Sequence, residues 1–396
     1  MLDRLPRSPS LLIAALAACF LHGPLQGMQS GPALVLEDSV ELRETTEHYL
    51  SDPAALIVAD DGSYFIADRF SNSVLRFGRD GGFRRAFGRV GQEPGEFTVV
   101  GVQGFVAGDL LGFVDLRPMS LEIFEVSSGR YRNTVEFAEA TFPLSFSVHD
   151  ETLWTAGMDR NAWKAIGAHP IRHVSSRGAD AVISLDRVTV PRPYIENPMV
   201  FGVLAFTVID VSDDDLVVGF GASPNVLRTD HAGNVLDTLV FPSVRRRGLP
   251  DEDELASLDP RETSIPELVE SISALTALSR DERGSVLALH QDFDLGERRA
   301  GGGYPQQADF YVSSIQEGGS GVCPDTLVPT LESGVAKAAL RAGSLYVLEQ
   351  SLDDRGSPKT VIRRFRIESS DCTGRIIFPT GFLRSALSTV ERLAML

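Results

Sequence analysis

The chain is 396 residues long, carries a formal net charge of −17, and is 43% hydrophobic and 23% charged. That length exceeds the usual limit of a single core, so two domains or one modular architecture are expected, and the composition excludes wholesale disorder. The acidity argues against a nucleic-acid partner, which needs a basic surface for phosphates, and against tight adsorption to anionic membranes; it reads as solubility.

In chain order, the first element is a targeting segment. Arg4 and Arg7 precede the apolar run Leu11 to Ala18, too short to span a bilayer and long enough for a signal-peptide core. Leu16-Ala17-Ala18-Cys19 follows directly and resembles the lipobox of bacterial lipoproteins. The resemblance implies a signal peptide over 1–18, lipidation at Cys19 and a tether over 19–32. The protein would then be exported to the periplasmic side of a bacterial membrane, held by the lipid anchor alone. The alternative is a secreted protein that loses Cys19 with its leader. Of the 37 basic residues only Lys164, Lys337 and Lys359 are lysines, which reads as genomic base bias.

The next stretch sets the fold. "AALIV" (Ala54 to Val58), "YFIAD" (Tyr64 to Asp68), "SVLRF" (Ser73 to Phe77) and "FRRAFG" (Phe83 to Gly88) are separated by Asp60-Asp61-Gly62, Ser71-Asn72 and Arg79-Asp80-Gly81-Gly82. Apolar alternation with turn residues between the runs predicts a four-stranded antiparallel meander. Such a sheet exposes two apolar faces and is marginal alone. The layout recurs over Val102 to Phe137, Leu144 to Gly157, Phe206 to Phe241, Leu275 to His290 and Gly334 to Gln350. A four-strand unit repeated at this kind of spacing predicts an all-β, six-bladed β-propeller over 33–380, with a two-sheet sandwich as the alternative.

Two strand-like runs, Ala33 to Leu42 and Thr373 to Pro379, lie outside the six units. Either can clasp the ring by pairing in the last blade, and the sequence leaves open which takes the outermost place. Between units four and five, Pro266 followed by "ELVES" predicts a short helical insertion. Arg245-Arg246-Arg247 and Asp251 to Glu254 read there as a solvated, self-neutralising loop. The text from Arg160 to Asn197 interrupts the pattern, and 381–396 forms a tail. Cys323 and Cys372 are an even pair in a disulfide-permissive compartment; both run through an apolar stretch to Pro-Thr, which also suits equivalent positions in two repeats.

The first unit, with "DDGSYFIAD", "SVLRF", "GRDGGFRRAFG" and "GQEPGEF", resembles an NHL-type repeat. The mature chain is similar to the six-bladed propellers of bacterial exported proteins that contain such repeats. The resemblance implies a ligand face at the ends of the second strands. It also brings the precedent of lactonase-like and lyase-like propellers, which bind Ca²⁺ or Zn²⁺ in the channel. The candidates on that face are Asp68, Arg69, Asp115, Arg117, His290 and Glu349. Asp68 and Asp115 also suit a purely local role, capping their own turns, and a lone His is commonly a satisfied polar residue. His169 and His173 have HExxH spacing, but Pro170 stands where the Glu would be. The reading is a module that binds a protein or a small polar ligand on one propeller face. The alternatives are a metal-assisted hydrolase or lyase at the channel mouth and an envelope assembly module.

Overall fold

The strand Tyr64–Asp68 is buried at every position. Its side chains alternate: Tyr64 and Ile66 pack with Tyr346 and Leu348, while Phe65 and Ala67 pack with Phe97 and Phe113. A strand buried on both faces needs a neighbour on each side. The neighbours here are other four-stranded sheets, arranged in a ring. A computed structural model of the chain describes residues 31–176, 181–221, 223–259, 261–295, 306–316, 321–330, 335–352 and 358–369.

In chain order, β1 (Ala33–Glu41) precedes blade I, formed by β2 (Pro53–Val58), β3 (Tyr64–Asp68), β4 (Ser73–Phe77) and β5 (Phe83–Phe87). Blade II holds β6 (Val100–Ala107), β7 (Leu110–Asp115), β8 (Ser120–Glu125) and β9 (Tyr131–Phe137). Blade III holds β10 (Thr141–His149), β11 (Thr152–Asp159), β12 (Lys164–Pro170) and, after a detour, β14 (Arg187–Thr189). Within that detour lie the short helix α1 (Ile171–Val174) and the two-residue β13 (Val182–Ile183), which adds a parallel fifth strand to β9 of blade II. Blade IV is β15 (Thr207–Val211), β16 (Leu216–Phe220), β17 (Asn225–Thr229) and β18 (Val235–Val240). Blade V is β19 (Ser273–Arg280), β20 (Val286–Leu295), β21 (Gln306–Ile315) and β22 (Val322–Leu327). Blade VI is β23 (Val335–Arg341), β24 (Ser344–Leu352) and β25 (Pro358–Glu368), completed by β1. The chain is thus a six-bladed β-propeller of antiparallel, four-stranded blades.

The apolar interior is six separate clusters, one at each seam between neighbouring blades. Phe65, Phe87, Phe113 and Phe124 fill seam I–II; Phe105, Val114, Leu153 and Phe146 fill II–III. Met158, Ile166, Val218 and Phe220 fill III–IV, and Val208, Val217, Leu275 and Val286 fill IV–V. Leu287, Val312, Leu345 and Phe365 fill V–VI, and Leu56, Tyr64, Tyr346 and Ile362 fill VI–I.

Inner strands start at the face we call upper, where the blade-to-blade connections run; the lower face carries the turns from the first strand to the second. The lower turn of blade I falls at Asp60-Asp61-Gly62, where the sequence places it. Gly62, with φ +78°, closes the first hairpin in a conformation that side chains with a Cβ avoid. The ring closes through β1, which pairs antiparallel with β25 from Ala33↔Glu368 to Glu41↔Val361. The N-terminal strand therefore takes the outermost place; Thr373 to Pro379 lies outside the described residues, as does Cys372. Cys323 is fully buried on β22 and engaged in a disulfide.

The interruptions between blades build a helical cap on the upper face. The connection from III to IV carries α2 (Arg192–Glu196) and α3 (Pro198–Leu204). Asn197 caps α3 by accepting from the Met199 N–H at 3.0 Å and donates to the carbonyls of Leu255 and Leu258. The connection from IV to V carries α4 (Glu252–Ser257) and α5 (Ile265–Ser271). Asp251 caps α4; α5 opens on a Ser264–Glu267 capping box with Pro266 in its first turn, the helix expected there. Tyr194, Val200, Leu204, Leu255 and Leu268 join the III–IV seam, so the cap is part of that seam's core. The arginine run is less solvated than its sequence implies. Arg246 is 7% exposed and donates to the Phe241 carbonyl, while Asp325 accepts the backbone N–H groups of Val244, Arg245 and Arg246. The acceptor comes from β22, some 80 residues away, which local charge counting does not see.

Deleting 33–41 removes eight cross-strand pairs from blade VI. At roughly 0.2–1 kcal/mol per pair, the internal deletion is expected to lower the unfolding midpoint by several degrees in a thermal melt. An unchanged midpoint would show that β1 does not hold the ring closed.

Candidate functional site

Six candidates were placed on the upper face by the sequence, and their chemistry divides. Asp68 ends β3 opposite Pro53, the first residue of the inner strand. Its Oδ1 accepts the N–H groups of Ser51 and Asp52 at 2.9 and 2.6 Å, and its Oδ2 accepts the N–H and hydroxyl of Ser71 at 2.9 and 2.8 Å. Asp115 repeats this in blade II. It lies opposite Val100 and accepts from the N–H groups of Thr98, Val99 and Arg117 at 2.7, 3.0 and 3.1 Å. Both carboxylates are buried and tie the incoming connection to the end of the second strand.

The same position recurs at two residues that the sequence reading missed. Asp159 lies opposite Thr141 in blade III and accepts the N–H groups of Asn161 and Ala162. Asp292 lies opposite Ser273 in blade V, accepting the Ser273 hydroxyl and the Arg247 N–H. An Asp that ends an apolar run just before turn residues was the available signal. For blade V it was hidden because β20 continues past His290 to Leu295.

His290 and Glu349 accordingly sit inside their strands. His290 is 5% exposed, edge-on to Phe241, and its Nδ1 has no hydrogen-bond partner among the described residues. Burial, followed by the Arg246 charge, holds its pKa well below 6.5. Glu349, 3% exposed, receives both Arg363 donors, Nε at 2.7 Å and Nη2 at 2.5 Å.

The cations behave differently. Arg69 and Arg117 are exposed, and neither guanidinium has a hydrogen bond or ion pair among the described residues. Beside Arg69, Phe70 is 67% exposed and its ring centroid lies 6.4 Å from that of Tyr49. Arg117 lines an open hollow of about 780 Å³ with Asp115, Glu96, Glu122 and Glu136. Burial pushes the Glu122 carboxyl above its usual 4.5, against the opposing effect of the Thr134 and Ser120 hydroxyls and the Gly95 N–H. A third cation, Lys337, sits on the inner strand of blade VI. Burial first, then Arg69, lowers its pKa from 10.5, and Asp52 opposes them.

Among the described residues, one group of three metal-ligating side chains comes together: His149, Asp150 and Asp213, with donor atoms within 4.8 Å of one another. It lies in the lower turns of blades III and IV, away from the predicted face. His149 Nε2 is 2.8 Å from Asp213 Oδ1, and both carboxylates are exposed. His169 and His173 do not converge on a site. His169 Nε2 contacts the Ser184 carbonyl at 3.0 Å from β12, and His173 is exposed on α1.

No family model and no curated protein matches the chain. Solved structures do. A member of the DUF4221 family from Bacteroides vulgatus is 13% identical, with TM-score 0.55 over 86% of this chain and 99% of that one. A candidate exported protein from Bacteroides fragilis is 10% identical, with TM-score 0.53 over 86% of this chain and 97% of that one. At these identities the likeness is one of fold.

Replacing Asp68 or Asp115 by Ala strands backbone donors at a blade connection, and each change is expected to cost about 0.5–2 kcal/mol in denaturant unfolding. No loss in either variant would mean that the caps are dispensable. His290 gives the fold a pH dependence. Its imidazole stays neutral when folded, whereas the unfolded chain takes up a proton below about pH 6.5. Stability should therefore fall as pH drops from 6.5 toward the depressed folded value, by at most about 1.4 kcal/mol per pH unit for one proton. His290→Leu should flatten that part of the profile; an unchanged slope would exclude His290 as its source.

Proposed function

We propose that this protein is an exported, lipid-anchored, NHL-like propeller that serves as a binding module and holds a small polar ligand or a partner protein on its upper face. The observation that carries this is the division of polar groups on that face. The strand-end carboxylates Asp68 and Asp115 are occupied by backbone donors and the mid-strand Glu349 by Arg363, whereas Arg69, Arg117 and Lys337 have no ion pair or hydrogen bond from their charged groups among the described residues, and Arg69 adjoins the exposed Phe70 ring, which lies near that of Tyr49. Aromatic and arginine side chains together are the residue types enriched at binding hot spots. The helical cap covers the upper face near blades III to V, and among the described residues it does not extend over the side formed by blades VI, I and II. Export and anchoring rest on Arg4, Arg7, the apolar run and Cys19.

A photo-cross-linking residue at Phe70, with a control at Glu282 in a lower turn, tests this in the native envelope. A discrete adduct from position 70 only, small molecule or protein by mass, is the expected result. Equal adducts from both positions, or none from position 70, would reject the upper face as the binding surface.

A further inference from the structure

The inner strand of blade VI divides its residues between two seams. Ala336, Ala338 and Leu340 pack against blade V, and Ala339 packs against blade I. Lys337 has the parity of Ala339, so it points toward blade I, two residues nearer the upper face.

Other cations at the seams have acceptors. Arg341, on the same side of the same strand, reaches the Val58 carbonyl and Asp60 of blade I. Arg280, which ends the inner strand of blade V, reaches Asp210 of blade IV at 2.8 Å, and also Asp215. Lys337 has neither an ion pair nor a hydrogen bond among the described residues. The Arg69 N–H donates to the Asp52 carbonyl at 3.0 Å, so the two residues meet at the upper end of blade I; Arg69 acts on Lys337 as a like charge, and the Asp52 carboxylate opposes it from beyond ion-pair reach.

A part-buried ammonium with no paired counter-charge carries a desolvation cost, and a second cation beside it adds to the cost. Both are offset when an anion enters. An ammonium supplies three donors and a guanidinium a planar fork, a pairing suited to the oxygens of a carboxylate or phosphate. The anchoring of the surrounding loop holds the geometry. Gln350 Nε2 donates to the Leu50 carbonyl at 2.9 Å, and Glu44 accepts from the Leu50 N–H and the Thr360 hydroxyl at 3.0 and 2.7 Å. The loop before β2 is thereby fixed to blade VI, next to Lys337.

We propose that Lys337 and Arg69 form an oxyanion-binding site at the upper end of the seam between blades VI and I, which takes a carboxylate- or phosphate-bearing small molecule. This deepens the binding-module reading and rests on it for the face used. Tyr49 and Phe70 give an apolar wall beside the charged groups.

The scarcity of lysine makes the test clean, because reductive ¹³C-methylation of the whole protein labels Lys164, Lys337 and Lys359 together with the terminal amine. The Lys337 signal should titrate below the ordinary lysine value of 10.5. Either inorganic phosphate or benzoate should shift it upward, and the more effective probe identifies the source of the oxyanion. By calorimetry, Lys337→Met and, separately, Arg69→Gln should each weaken binding of that probe about tenfold or more, whereas Lys337→Arg should retain it. Arg69 is exposed, so Arg69→Gln keeps the test valid if Lys337→Met does not fold. A Lys337 signal that titrates at the ordinary lysine value and responds to neither probe overturns the proposal, as does equal affinity in the wild type and the Arg69→Gln variant. A cross-link from Phe70 with no probe response would reject the oxyanion site and leave the binding face standing. A probe response with no cross-link would do the reverse.

Discussion

The structure depends on the two-sided burial of each blade. A sheet with apolar side chains on both faces cannot satisfy them alone, and a linear stack of such sheets would leave two faces wet. A ring removes that problem only if it closes. In this chain closure is visible as six apolar clusters for six blades, each drawing side chains from two neighbours. Blade VI lacks an outer strand of its own among the described residues and takes β1 from the other end of the domain. The seam between blades VI and I is therefore where the chain's beginning and end must find one another.

Polar groups sit at the ends of these seams for the same reason. Midway along a strand both sides are covered, and a charge there needs a partner, as Glu349 has in Arg363. At the upper end the connection between blades arrives with unpaired backbone N–H groups. An Asp at the end of the second strand meets them in blades I and II, with no need for a long side chain. That arrangement spends Asp68 and Asp115 on structure. Toward blades VI and I it leaves Arg69 and Lys337 with Tyr49 and Phe70, while carboxylates still line the hollow around Arg117 in blade II.

Much of the fold was legible in the sequence because its signals are local. Strand alternation has a period of two residues, and the turns carry Gly, Asp and Asn within four positions. Blade I, with its lower turn at Asp60-Asp61-Gly62, could be placed from those signals alone. Asp68 and Asp115 were visible as strand-end carboxylates, and their alternative reading as caps matches the hydrogen bonds they make. Asp292 was not, since nothing near His290 marks where β20 stops. The helical cap was half legible: Ser264, Pro266 and Glu267 announce α5, but Asn197 joins its segment to α4 through the carbonyls of Leu255 and Leu258, about 60 residues away. Lys337 was the least legible of all. In "VAKAAL" it is one polar residue in an apolar strand. Its meaning lies in a neighbour, Arg69, that ring closure brings from the far end of the chain.

That last point ties the site to the fold. Lys337 and Arg69 belong to blades VI and I, so an anion held by both bridges the seam whose integrity depends on β1. Such a ligand binds only the closed ring, because opening the seam separates its two donors. By linkage, whatever favours the closed ring must favour the ligand, and the ligand must favour closure in equal measure. The repulsion between the part-buried Lys337 ammonium and the exposed Arg69 guanidinium works the other way when the site is unfilled. It sets a local cost against the apolar packing of Leu56, Tyr64, Tyr346 and Ile362 just below. The closing seam is thus both the weakest point of the architecture in chain connectivity and the place where binding energy returns most directly to the fold.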